Sequence, residues 1–281
     1  MAPTTTTTVP PPASSRPAPL AAAGHVRSAS VPCHTHPLLA HVDDQLLALR
    51  SWTSRPGPKY PLSLAHVRAL LCVLDELLLR LPPAHAHAAD SLLDGFLVLA
   101  DAFGTFLAAL VALRQHAAEL RAAVRRRDDA ARLASAARAQ RRAGRELHLL
   151  AAAVARGASR CACARPASAS TPGVARAVAE AVNGTAAAAA AVFLEVGAVA
   201  DAAAALALAA SPAASASAKK MGLSRSRKAV ADGEERRVGA ALEKLQELEQ
   251  CVRELESESE KVFRSLVQTR VSLLNIRTPT F

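Results

Sequence analysis

Cys33, His34 and His36 lie close together, and Cys161 and Cys163 form a Cys-x-Cys pair. Thiolate and imidazole are zinc ligands, so these are the first residues to weigh for chemistry. Neither set has the two-residue gap and distant second pair of a zinc site, and we read both as non-metal residues in loops. His85 and His87 flank a helix start, while His66, His116 and His148 stand singly on predicted helices. No Ser or Cys nucleophile carries a recognisable motif, no Gly-rich phosphate loop follows a strand, and no carboxylate pair stands out from the helical charge pattern. The expectation is a non-enzymatic chain with no catalytic residue, metal or cofactor.

The sharpest functional signal is Arg27-Ser28-Ala29-Ser30-Val31-Pro32. Arg27, Ser28, Ser30 and Pro32 have the arrangement that 14-3-3 proteins read once the second serine is phosphorylated, because the added charge is clamped by an arginine cluster. A second signal is charge. The chain has a formal net charge of +10, and nine arginines crowd one stretch: Arg121, Arg125, Arg126, Arg127, Arg132, Arg138, Arg141, Arg142 and Arg145. Only Asp128 and Asp129 oppose them in the opening part of that stretch, whereas Asp232 to Arg264 holds ten acidic and six basic residues. The two stretches are expected to face each other and neutralise much of the charge. Phosphate binding by the arginines is the rival reading, but no aromatics interleave with them for base stacking and no nucleic-acid-binding signature accompanies them. An anionic membrane surface is the other alternative for this basic face.

The elements that carry these residues are helical. About a quarter of the 281 residues are Ala, with one Trp and one Tyr, a composition that suits helices and leaves little for a sheet. Residues 1–24 lack apolar periodicity and read as a disordered tail. The first 42 residues contain no acid, which is also the composition of an organelle transit peptide. Five cysteines, with no apolar signal core at the start, point to an intracellular and cytoplasmic protein, a plastid being the alternative. Ala186 to Ala210 is the only span whose length and apolarity suggest a membrane helix. Glu195, Asp201 and the weak insertion drive of Ala favour a buried helix instead.

A first helix is expected from Pro37 to about Trp52, and a second, capped by Ser63, to about Leu81. Phe96, Leu99, Phe103, Phe106, Leu110, Leu113, Ala117, Leu120 and Val124 share one three-four spacing and mark a central helix. Gly95 and Gly104 in that helix suggest close approach of a neighbouring backbone. Asp128 or Asp129 can cap a fourth helix, ending at Gly157 before a linker over 157–171, and Thr171-Pro172 opens a fifth. A second linker covers 212–232. Residues 234–273 form a heptad helix, with Leu245, Leu248, Val252, Leu255, Ser259, Val262, Leu266, Thr269 and Leu273 on its seam. The expected fold is all-α: a bundle of long antiparallel helices over 25–277, the seam packed within a monomer, or alternatively between chains as a coiled-coil dimer.

Three stretches together resemble a plant-specific group of helical proteins, the BYPASS-related family. They are His25-Val26-Arg27-Ser28-Ala29-Ser30-Val31-Pro32 with His36-Pro37, Leu92-Leu93-Asp94-Gly95 through Gly104, and Thr269-Arg270-Val271-Ser272-Leu273-Leu274-Asn275-Ile276. Arg125-Arg126-Arg127 also looks like the family pattern. The Ala-rich linkers depart from typical members and resemble the compositional drift of GC-rich grass genomes. The resemblance implies a helical protein without known catalytic residues or cofactor. It implies an association with root and shoot growth for members of the named branch.

Overall fold

A computed structural model describes residues 37–55, 63–80, 89–163, 172–211 and 227–277. These form six helices, with no strand among the described residues: α1 (Pro37–Ser54), α2 (Ala65–Leu79), α3 (Ala89–Arg126), α4 (Ala130–Cys163), α5 (Pro172–Ala209) and α6 (Arg227–Arg277).

The four long helices run up, down, up and down. Gly104 of α3 meets Phe263 of α6, and Arg114 and Arg121 pair with Glu256 and Glu249, so α3 and α6 are antiparallel. Val98 lies against Gly157, and Gln140 donates to the Ala200 carbonyl at 2.7 Å, which sets α4 antiparallel to α3 and to α5. The two short helices cover the bundle: α1 packs on α5 through Leu46 and Leu49 against Gly184, and α2 on α6. Glu258 of α6 accepts from the Leu64 amide, and Ser63 Oγ accepts from the Ala65 amide at 3.1 Å, so α2 is capped by its own serine and by a carboxylate nearly two hundred residues away. Ser272 completes the clamp by donating to Asp75 at 2.7 Å.

All nine residues of the α3 stripe are buried, as is every residue of the α6 seam from Leu245 to Leu273. The seam is therefore filled within the chain. At the centre Phe106 stacks on Phe193 of α5 with ring centroids 4.0 Å apart, and Phe103 meets Phe193 edge-on at 5.7 Å, the T-shaped geometry that aromatic quadrupoles favour. Within the seam, Ser259 and Thr269 hold buried hydroxyls that make no hydrogen bond.

Several expectations change. Gly157 does not stop α4, which continues through Cys163; the cysteine pair thus lies on a helix, and the proposed 157–171 linker is shortened at its start. A Cβ at Gly157 would stand 2.7 Å from Val98, so this glycine makes room for a neighbour. α6 begins at Arg227, inside the stretch assigned to the second linker. Gly95 and Gly104 face the side chains of Val182 and Phe263, at 3.0 and 3.8 Å from an added Cβ, with no foreign backbone nearby. The backbone approach occurs at Gly144 and Gly197, where each added Cβ would meet the other's carbonyl oxygen at 3.3 and 3.0 Å. α3 is also long and apolar enough to cross a membrane from Leu93 to Arg126, so the α5 stretch is not the only such span. In both helices one face forms part of the bundle core: in α5 this includes Ala186, Ala189, Ala200, Ala203 and Ala207.

Two glycine substitutions should move stability in opposite directions. Gly197→Ala drives a methyl against the His148 ring, 2.5 Å away, and is expected to destabilise by about 1–3 kcal/mol. Gly239→Ala, with nothing within 4 Å, should stabilise by about 0.5–1 kcal/mol through helix propensity. Urea denaturation midpoints check both; equal shifts of one sign would contradict the α4–α5 contact.

Candidate functional site

The nine-arginine stretch divides into three environments. Arg121 pairs with Glu249 of α6. At the α3–α4 turn, Arg127 has φ of 52°, and its amide and that of Asp128 donate to the Val124 and Ala123 carbonyls at 3.2 and 3.1 Å. This is a Schellman ending in which arginine occupies the left-handed position usually given to glycine. Arg126 donates to Asp128 at 2.9 Å, and that hydrogen bond holds the Asp128 carboxyl below its ordinary range. Asp129 caps α4 by accepting from the Arg132 amide at 2.8 Å, with the Arg132 guanidinium 3.6 Å from the same carboxylate.

The expected charge pairing between this stretch and the C-terminal helix is thus mostly absent. The reason is topological: α4 packs against α3 and α5, which leaves its arginines facing away from α6. Besides the Arg121–Glu249 pair, Glu256 of α6 pairs with Arg114 of α3, and Glu247 and Glu260 pair along α6 itself with Lys244 and Arg264.

Arg138, Arg141, Arg142 and Arg145 make no ion pair or hydrogen bond among the described residues. Arg138, Arg142 and Arg145 share one face of α4 by the 3.6-residue period, with Arg141 at its flank. The same face continues through Leu149, 69 % exposed, to the exposed Arg156. Sequence reasoning stopped at Arg145 and missed these two, although extension by the same period reaches them. On the opposite side α4 is fixed by the buried Gln140 and by Gly144 against α5. The structure thus presents a rigid row of guanidinium groups that can hold several phosphates or carboxylates in line.

A concavity of about 240 Å³ at the α3–α4 turn is lined by Ala123, Val124, Leu133, Arg127, Asp128 and Glu234. Among the described residues no three His, Cys, Asp or Glu side chains converge as metal ligands. His66 lies beside Trp52, His116 is near Glu119 at 3.8 Å, and His148 packs on Gly197. Arg27, Ser28, Ser30, Pro32, Cys33, His34, His36, His85 and His87 lie outside the described residues.

A family model described as Protein BPS1 matches residues 63–276, from the α2 cap almost to the end of α6. The chain belongs to that family. The match takes in the Leu92 to Gly104 stretch, the Arg125 to Arg127 cluster and the C-terminal stretch, whereas the Ser30 segment and α1 precede it. The match to this plant family thus covers α2 to α6, including the basic face of α4. No curated protein and no solved structure matches the chain.

Two described cysteines should differ in reactivity. Cys251 is buried on α6, and burial, reinforced by Glu254 and Glu247, raises its thiol from 9.0 to about 11, while Cys72 is exposed. Iodoacetamide at about pH 8 is expected to label Cys72 and spare Cys251 until the protein is unfolded, since the thiolate is the nucleophile. The raised value favours the folded state below pH 9, and that contribution is lost as pH rises from 9 towards about 11. Labelling of both at equal rates, read by peptide mass spectrometry, would contradict the burial of α6.

Proposed function

We propose that this chain is a non-enzymatic regulatory protein of plant root and shoot development, acting through protein partners on its outer helical surfaces. Family membership supports the developmental part of this reading. The observation that carries the interaction part is the burial of the α3 stripe and the α6 seam in one core, which assigns those helices to holding the fold. Recognition then falls to outward residues and to the segment before α1.

In this reading phosphorylated Ser30 recruits 14-3-3 proteins, with Arg27, Ser28 and Pro32 completing the motif, and so gates access to other partners. The chain works as an intracellular, cytoplasmic monomer. Nucleic acid is the weaker reading of the basic face, because the arginines of α4 have no aromatic neighbours in sequence on which bases would stack.

The test is affinity purification from plant tissue with the wild-type chain and Ser30→Ala, supported by binding of a phosphorylated Ser30 peptide. Loss of 14-3-3 proteins and of a subset of other partners with Ser30→Ala is expected. An unchanged partner set, with no peptide binding above the unphosphorylated control, would contradict the gate.

A further inference from the structure

We propose that the outer face of α4 is a docking surface for anionic lipid bilayers, with Arg138, Arg142, Arg145 and Arg156 contacting headgroup phosphates and Leu149 entering the acyl boundary. This inference goes beyond the reading above and does not depend on Ser30.

The first support is unspent charge. Arg138, Arg142, Arg145, Arg156 and Arg141 make no ion pair or hydrogen bond among the described residues, whereas Lys244 and Arg264 of α6 are each paired with a carboxylate on their own helix. Glu146 projects to the side of the row, and Asp201 of α5 is turned inward against Gly144. Every cation on the face is arginine, whose planar guanidinium binds phosphate through two parallel hydrogen bonds.

The second support is shape. From Arg138 to Arg156 the row extends about 27 Å at the helical rise, straight along one helix and fixed from behind by the Gly144–Gly197 approach. The cost of ordering a binding segment is therefore already met by folding. An extended plane satisfies the whole row at once.

The third support is Leu149. One exposed leucine on a surface is ordinary. This one lies between Arg145 and Arg156 on the same helical face, with 69 % of its surface in water. A bilayer combines anionic charge with an apolar layer just beneath it, and this alternation of arginine and leucine matches that order. A soluble polyanion offers the charge and leaves the leucine in water.

The test is sedimentation of the full chain with phosphatidylcholine vesicles, with and without about 30 % phosphatidylserine, over a salt series. Binding only to the anionic vesicles, weakening with salt, is expected. At about fivefold per neutralised arginine, Arg138→Gln/Arg142→Gln/Arg145→Gln should reduce binding about 100-fold. Leu149→Ser should cost about tenfold while leaving the circular dichroism spectrum unchanged. Arg80→Gln/Arg253→Gln/Arg264→Gln changes net charge equally off this face and should bind as wild type. The proposal is overturned if wild type does not bind anionic vesicles, if the two triple variants lose binding equally, or if Leu149→Ser binds as wild type. Binding of soluble polyglutamate as strong as that of the vesicles would also overturn it, assigning the face to an acidic protein.

Discussion

Nine apolar positions on one face of α3, spread over about 42 Å of helix, cannot stay in water. Covering them requires long neighbours, and α4, α5 and α6 are those neighbours. The Phe103, Phe106 and Phe193 cluster fixes the middle of this arrangement by joining α3 to α5, while α6 closes the remaining side with its leucine seam. The polar connections follow from the same register. Arg114 and Arg121 reach Glu256 and Glu249 because antiparallel packing of α3 on α6 brings those turns level. Once α6 is seated, its Glu258 lies at the open end of α2 and caps it.

The close approach of α4 and α5 is the second condition. An Ala-rich helix has little side-chain bulk, so it gains contact by coming near, and Gly144 with Gly197 permits the nearest point. That approach immobilises α4 along its inner side and leaves the outer side free to be strongly basic. Fold and surface are thus divided cleanly on this helix: Gln140 and Gly144 hold it, while the arginines face outward.

Much of this was legible in the sequence because burial imposes a period. The α3 stripe and the α6 seam follow the helical repeat, and every residue that the repeat selects on them is buried. The helix ends were less legible, and two residues explain why. Gly157 has the identity of a stop, yet it is helical because Val98 occupies the space of its missing Cβ. Arg127 has the identity of a helix former, yet it ends α3 in the left-handed conformation. Both residues stand against their local preference, and for Gly157 the reason is a tertiary contact that a single sequence does not display. The charge pattern misled in the same way. The acids of the C-terminal helix complement the arginines in number, but the winding of the bundle decides adjacency and gives α6 to α3. The Arg138 to Arg156 face was half visible; its arginines were read as part of a longer run, and its leucine became meaningful only once the helix had an outside.

The central claim is that α6 completes its core within one chain. Amide hydrogen exchange over Leu245–Leu273, followed across about a hundredfold range of protein concentration, tests it most directly. The account predicts strong protection, comparable to that of α3 and independent of concentration. Protection of α6 that falls away on dilution would show that its seam depends on a second molecule, and would contradict the account.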